Sequence, residues 1–213
     1  MSRGEAFIRD NTAIDSPPLV PELRFHLATE IAPIWKATEV ELQRVCEPPF
    51  WAFCWPGGQA LARYILDNPD QVAGKRVLDF ASGCGIAGFA AAKAGAYYVL
   101  VNDVDPMAMT AIALNGALNG VSVETHGQDL VGAENPGWDL VLAGDICYEQ
   151  PLAGRVKAWL QELAQSGAEV WLADPGRAYA PDTEITPLVT YTVPTSLELE
   201  DQEKRVTTLY RVG

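Results

Sequence analysis

Four aspartates close short apolar runs in this chain: Asp79 after Val77-Leu78, Asp103 after a run through Val101, Asp145 after Leu140 to Gly144, and Asp174 after Val170 to Ala173. Carboxylates so placed can hold a cation, accept hydrogen bonds from hydroxyl groups, or orient an amine for reaction. Just beyond the first of them lies a run of small residues, Ala81, Ser82, Gly83, Cys84 and Gly85, before an Ala-rich stretch begins. Glycines there let backbone N–H groups approach a ligand closely, and the helix start that follows presents unpaired donors with partial positive charge. Such a loop binds a nucleotide-like cofactor.

The letters Gly83-Cys-Gly85-Ile-Ala-Gly88 also fit the G-x-G-x-x-G dinucleotide fingerprint, and Asp103 follows at the distance expected of its ribose-binding acid. Read alone, that pattern gives a nicotinamide-dependent oxidoreductase. Two features weigh against it. Asp79 sits poorly beside a pyrophosphate but suits an ammonium group, and the segment after the fifth strand does not read as a second mononucleotide half.

The elements that must position these residues follow from periodicity. Strands are expected at Val77 to Asp79, Tyr97 to Val101, Val121 to Thr125, Trp138 to Gly144 and Glu169 to Ala173. Helices are expected between them. One starts after the Pro-Gly-Gly turn that follows Trp55 and stops at Asn68-Pro69; another ends at Gly95; a third opens at Asp105-Pro106, with the aspartate as cap, and stops at Asn119-Gly120. A fourth, Pro151 to Gln165, carries Leu152, Val156, Trp159, Leu160 and Leu163 on one face. The β-branched tail after Thr186 reads as antiparallel strands. The fold class is therefore α/β, a mostly parallel sheet with helices on both faces and a C-terminal antiparallel hairpin, and the four aspartates gather at the carboxyl ends of its strands.

Residues 1–50 are rich in proline and charge and are expected to form an irregular extension with a short strand near Leu23 to Leu27 and one helical turn near Trp35. The segment either closes over a ligand as a lid or covers an edge of the sheet; residues 51–213 form the catalytic domain. Trp51 reads equally as core or as site. Trp55, against a glycine pair at a helix start, suits ligand contact.

Length and charge bound the rest. A chain of 213 residues with 48% hydrophobic content is enough for one domain with a buried core, and a formal net charge of −13 argues against a phosphate-backbone partner. Nucleic acid is excluded as the expected substrate. Cys46, Cys54, Cys84 and Cys147 are scattered and only two histidines are present, so no metal site is expected and the thiols read as reduced. No apolar run is long enough for a bilayer span, nor does the N-terminus read as a signal peptide; a cytoplasmic monomer is the expectation.

The run VLDFASGCG, with a strand ending at Asp103, resembles motifs I and II of the class I S-adenosylmethionine-dependent methyltransferases. Asp145-Ile-Cys-Tyr148 is similar to the D-x-x-Y motif of the seven-strand lysine methyltransferases, and FWAFCWPGGQALARYIL and DPGRAY resemble the branch that methylates the electron-transfer flavoprotein β-subunit. The resemblance implies a Rossmann-like seven-stranded sheet, S-adenosyl-L-methionine as cofactor, and lysine side chains of that protein as acceptor. It implies Asp79 near the methionine amino group, with Ala81, Gly83, Cys84 and Gly85 along the loop beside it, and Asp103 on the ribose hydroxyls. Asp129 and Leu130 would flank the adenine, Trp55 would border the cofactor and Gly144 would line the methyl-donor channel. Asp145 and Tyr148 are the implied catalytic pair, the first orienting the amine, the second walling its channel; as a plain aromatic, Tyr148 would instead cap the sheet. Asp174 to Arg177 reads either as a strand-ending turn or as a substrate contact, with Arg177 pairing an acidic group of the partner or an internal carboxylate. Alanine at position 81 departs from the motif's first glycine. A small-molecule N-methyltransferase with a pyridine-like acceptor is the alternative, since the same cofactor half and acidic pocket serve both.

Overall fold

The computed structural model describes residues 2–42 and 48–213, and Cys46 lies outside them. In chain order the elements are α1 (Arg3–Asn11), β1 (Ala13–Asp15), β2 (Phe25–Leu27), α2 (Ile31–Leu42), α3 (Pro56–Asp67), β3 (Arg76–Phe80), α4 (Ile86–Lys93), β4 (Tyr98–Asn102), α5 (Pro106–Asn119) and β5 (Glu124–His126). They continue with β6 (Leu140–Gly144), α6 (Leu152–Gln165), β7 (Glu169–Asp174), β8 (Ile185–Pro194), the single turn α7 (Leu197–Glu200) and β9 (Lys204–Val212). A single 3-10 turn, Phe50–Ala52, precedes α3.

The seven-stranded sheet runs β5-β4-β3-β6-β7-β9-β8. Strands β3 to β7 are all parallel, and β9 pairs antiparallel with both β7 and β8. The expected α/β architecture with its terminal hairpin is what the chain forms. Side chains along a strand alternate between faces, and the core divides accordingly. Val77, Leu140, Leu142 and Trp171 pack with Ala60, Leu61 and Ile65 of α3 and Phe89 of α4, whereas Leu78, Val141, Val170 and Leu172 pack with Val156, Trp159, Leu160 and Leu163 of α6.

The chain leaves β3 for β4 on one side and returns to β6 on the other. That reversal makes a crevice at the carboxyl ends of β3 and β6, the place where open sheets of this kind take ligands.

The N-terminal segment is more regular than expected. Instead of one helical turn, it holds two helices and a β1–β2 hairpin. Helix α1 is started by a reciprocal cap: the Glu5 N–H donates to Ser2 Oγ and the Ser2 N–H donates to the Glu5 carboxylate. Helix α2 tolerates Pro33 because the proline lies in its first turn, where no intrahelical N–H is needed. Phe7, Ile8 and Ile34 pack in one cluster with Met107, Ala108, Ala111 and Leu114 of α5, so the segment covers that helix. Trp51 is only 1% exposed and belongs to the same cluster, which places it in the core. The third parallel strand is β5, Glu124–His126, three residues later than Val121 would start it.

Helix α3 lies across the end of β6, and the contact is backbone against backbone. A Cβ at Gly144 would come within 2.9 Å of the Gly58 nitrogen and 3.1 Å of the Gly57 carbonyl carbon. Replacing Gly144 with alanine should therefore force α3 outward and destabilise the protein by about 1–3 kcal/mol. Urea unfolding tests this; an unchanged midpoint would show that α3 has room to move.

Candidate active site

The cofactor loop is built from left-handed backbone. Ala81, Gly83 and Gly85 have φ of 50, 55 and 88 degrees. Gly85 caps α4, and a side chain there would meet the Phe89 ring at 2.9 Å, so both conformation and space require glycine. Ala81 adopts the conformation without that freedom, and its methyl is the family departure read in the sequence.

Asp103 fastens this loop to the end of β4. Its Oδ2 accepts from the Gly83 N–H at 2.8 Å and its Oδ1 from the Asp105 N–H at 3.0 Å. The Val104 N–H also draws on this carboxylate, and since a carboxylate offers about four acceptor sites, capacity remains for a hydroxyl donor. The residues therefore fit a ribose. Burial raises the Asp103 pKa against the N–H groups of Asp105 and Gly83.

Asp79 lies behind the loop. It is 3% exposed, and its Oδ2 accepts from the Gly88 N–H at 2.8 Å. A Cβ at Gly88 would come within 2.7 Å of Val101 and 3.0 Å of that carboxylate oxygen, so the third glycine of the fingerprint serves close packing. Burial pushes the Asp79 pKa up to about 7; the Gly88 hydrogen bond opposes this and the neighbouring Asp103 charge adds to it. Cys84 is buried with its sulfur 3.5 Å from that of Cys54, and its carbonyl accepts from the Asn115 side chain at 3.1 Å.

Asp129 and Leu130 lie further round the rim. Asp129 is exposed, accepts the Val131 N–H at 2.9 Å and meets Arg155 at 3.4 Å, an open pair of small energetic weight. Leu130 packs against the α6 side of the core. Asn102, which the sequence reading passed over, holds this segment in place by donating to the carbonyls of His126 and Gln128 at 2.7 and 2.9 Å.

Asp145 organises the other half. It follows β6 with φ of 57 degrees and is 9% exposed. Its Oδ2 accepts from the Gly57 N–H at 2.5 Å and the Gly58 N–H at 3.3 Å, at the start of α3, and its Oδ1 accepts from Arg177 Nη2 at 2.7 Å. Burial pushes its pKa up to about 6; Arg177 opposes the rise, the Glu200 charge adds to it, and the Gly57 N–H opposes it again. The group is thus ionised at neutral pH. Gly144, expected along the methyl channel, packs against the Gly57-Gly58 backbone at the end of β6.

Aromatic rings wall the same corner. Phe50 contacts Trp55 at 5.7 Å and Tyr148 at 5.4 Å between ring centroids, and Phe53 meets Trp55 at 5.9 Å. The Arg177 guanidinium lies 5.7 Å from the Trp55 ring. Tyr148 is 40% exposed, at the mouth rather than in the core. The wall adjoins the cofactor loop, since a Cβ at Gly83 would sit 3.6 Å from the Phe50 carbonyl. The rings of Phe50 and Phe53 were visible in the sequence as FWAFCW, but nothing there marked which of them face the site.

The Asp174 segment is a strand-ending turn, its Oδ1 accepting from Gly176 and Arg177 N–H groups at 2.7 Å each. Arg177 pairs with internal carboxylates, Asp145 and Glu200, rather than standing free. Glu200 was missed. It is remote in sequence, in a stretch read only as hairpin.

A family model described as lysine methyltransferase matches residues 49–183. The chain is 42% identical over 182 residues to the electron transfer flavoprotein beta subunit lysine methyltransferase of Danio rerio, covering 84% of this chain and 70% of that protein. With the protein of the same name from Homo sapiens it shares 40% over 183 residues, covering 81% and 66%. Among solved structures, magnesium protoporphyrin IX methyltransferase from Synechocystis, with bound SAM, shares the fold at a TM-score of 0.54 and 20% identity, covering 73% of this chain and 79% of that one.

Asp79 gives a test by linkage. Its folded pKa of about 7 lies above the ordinary carboxyl value, so the folded state binds more protons than the unfolded one between the two. Stability should fall as pH rises through that window, by on the order of 1 kcal/mol per pH unit from this group. Urea unfolding at pH values from about 5 to 7 should show Asp79→Asn gaining on the parent as pH rises. A constant difference between the two proteins would refute the buried, proton-binding carboxyl.

Proposed function

The chain belongs to the lysine methyltransferase family, and from that membership we propose that it transfers methyl groups from S-adenosylmethionine to lysine side chains of the electron transfer flavoprotein β-subunit. The acceptor is taken from the relatives named for it, which match over four fifths of the chain. The observation that carries the chemistry is the ionised Asp145, joined through Arg177 to the Trp55 ring of an aromatic wall whose Phe50 adjoins the cofactor loop.

The bound cofactor supplies a methyl group already activated by a positively charged sulfur. The protein's task is to align a neutral amine with it and to keep water out, so positioning provides most of the acceleration. Asp103 would hold the ribose and the Gly83 to Gly85 backbone would line the cofactor. Asp79, with a pKa of about 7, ionises readily when a positive group settles near it.

On the acceptor side a lysine starts with a pKa near 10.4. Desolvation against the aromatic wall lowers that value, and the Asp145 charge raises it. Asp145 has three of about four acceptor sites taken by Gly57, Gly58 and Arg177, which leaves one on Oδ1 for the incoming amine. With a pKa of about 6 it is a weak base for an ammonium group. Its role is accordingly to dock and orient the amine, while the proton leaves to solvent as the lysine enters. The rings add cation–π attraction of roughly 0.5–2 kcal/mol for the arriving cation.

The mouth suits a macromolecule. Tyr148 and Tyr179 are each 40% exposed, and the Tyr179 N–H donates to the Cys147 carbonyl, so both tyrosines stand at one open rim. A pyridine-like metabolite would gain little from such an edge.

The experiment is to incubate purified protein, radiolabelled S-adenosylmethionine and purified β-subunit, and to locate the label by mass spectrometry. Labelled lysines are expected. Asp145→Asn preserves the shape that α3 and Arg177 grip; it should lower turnover by about 100-fold or more, as loss of an electrostatic positioning group does, with S-adenosylhomocysteine affinity little changed. Label appearing only in small molecules, or full turnover in the variant, would overturn the reading. Tyr148→Ala should raise KM for the protein acceptor severalfold and leave the KM for the cofactor alone, as progress curves at varied acceptor will show.

A further inference from the structure

The acceptor side of the site is held by a chain of charges that reaches into the C-terminal hairpin. Arg177 Nη2 contacts Asp145 Oδ1 at 2.7 Å and Glu200 Oε1 at 2.5 Å, and Arg177 Nη1 contacts Glu200 Oε2 at 3.0 Å. Glu200 is thus gripped by both arms of the guanidinium fork. Its side chain is 1% exposed, and it is held from the far side by Arg205, whose Nε donates to Glu200 Oε2 at 2.8 Å and whose Nη2 donates to the Glu200 carbonyl at 3.1 Å. Arg177 itself is fixed at its backbone, where its N–H donates to Asp174.

We propose that Glu200 is a positioning residue for the methyl-transfer site: by holding the Arg177 fork it fixes the guanidinium between the Trp55 ring and Asp145 Oδ1, and so determines which acceptor position of Asp145 remains for the lysine amine. The inference rests on the function proposed above and names a residue outside the stretch that matches the lysine methyltransferase family model.

The geometry explains why a glutamate is needed. A carboxylate bound by both guanidinium arms sets the plane as well as the position of the arginine, which a single contact does not. Without it the fork could turn to give Asp145 both of its arms. That would occupy the remaining Oδ1 site and close the docking point. The second carboxylate also keeps Arg177 from neutralising Asp145 alone, since one arginine serves two acids here. The turn α7 ends at Glu200, with Ser196 Oγ accepting the Leu199 N–H to start it and Asp201 in left-handed backbone to end it, so the residue is delivered by a built structure and not by a loose loop. Arg205 at the start of β9 ties that turn to the sheet.

The test is Glu200→Gln, which keeps size and shape and removes the charge. Steady-state kinetics with the β-subunit should show kcat reduced tenfold or more, with S-adenosylhomocysteine affinity within twofold of the parent. In parallel, nitrogen-15 spectra of the arginine side chains should show slow, separate Nη signals for Arg177 in the parent and averaged ones in the variant. Averaged signals with parental kcat would overturn the proposal, and so would a fall in kcat with unchanged Arg177 signals, or one that merely follows the folded fraction. If the glutamine variant does not fold, Arg177→Lys, which keeps one charge but cannot span two carboxylates, carries the same kinetic comparison. A parent protein that leaves the β-subunit unlabelled would refute the proposed substrate instead, and the arginine spectra would still decide whether Glu200 holds the fork.

Discussion

A carboxylate at the end of β6 that is buried, charged and hydrogen-bonded on both oxygens is the constraint on which the rest of the site depends. Asp145 takes the first free N–H groups of α3 on one oxygen and Arg177 on the other. Removing a charge from water costs several kcal/mol, and only close donors recover it. Those donors come from two directions, a helix start from before the cofactor loop and an arginine from the turn after β7, and the arginine is itself held by a glutamate from the hairpin. Each must arrive at a fixed place. The glycines at 57 and 144 are the consequence, because α3 reaches the carboxylate only if its backbone lies on the end of β6, while the glycine at 58 makes room for Ile86 of α4. Positive charge at a helix N-terminus then favours the ionised form.

Two buried carboxylates with raised pKa values flank the switch between β3 and β6, and they are raised for different ends. Asp79 has one donor and no cation, so burial dominates and its proton is held to about 7. Asp145, also buried, has an arginine and two N–H groups, so it is held lower, to about 6. The first carboxyl is a costly charge that a cationic ligand would relieve. The second is already relieved, and its remaining capacity is directional. One strand end therefore favours binding a positive group, and the other favours orienting one.

Most of the architecture was legible because it rests on local rules. Alternating apolar strands, the Asp105-Pro106 cap, the Gly120 stop and the amphipathic face of α6 were all readable and are all present. So was the gathering of aspartates at strand ends. What escaped had other causes. The cap that starts α1 was written as Ser2-x-x-Glu5 and was masked by charge and proline around it. Helix α2 takes its stability from Ile34 packing in a cluster with α5, a tertiary contact no window of sequence contains. Asp79 and Asp103 were read as strand-ending acids with different ligands, and the structure adds that one faces the helix behind the loop and the other fastens its front. That difference is one of depth, which sequence spacing does not encode. Glu200 and Arg205 were hidden for the same reason, being brought to Arg177 by the return of the hairpin.

The cofactor loop and the acceptor wall differ in how firmly they are held, and this divides the labour between them. The loop is gripped in front by the Asp103 carboxylate on Gly83 and behind by Asn115 on the Cys84 carbonyl. Asn115 is in turn bonded to the N–H of His26, and Asn119, one helical turn on, exchanges two hydrogen bonds with the Arg24 backbone. Phe25 between them stacks on Phe89 beneath the loop. The N-terminal segment thus acts on the site through α5 and α4, stiffening the loop from below. A loop already in its bound shape loses little freedom when it takes a ligand. The acceptor wall ends instead in two tyrosines that are each 40% exposed, Tyr148 beside the Phe50 ring and Tyr179 with its N–H on the Cys147 carbonyl. For the transfer proposed above, a donor of one fixed shape gains from the stiffened loop, whereas a lysine on a protein surface would meet the exposed tyrosines at the mouth.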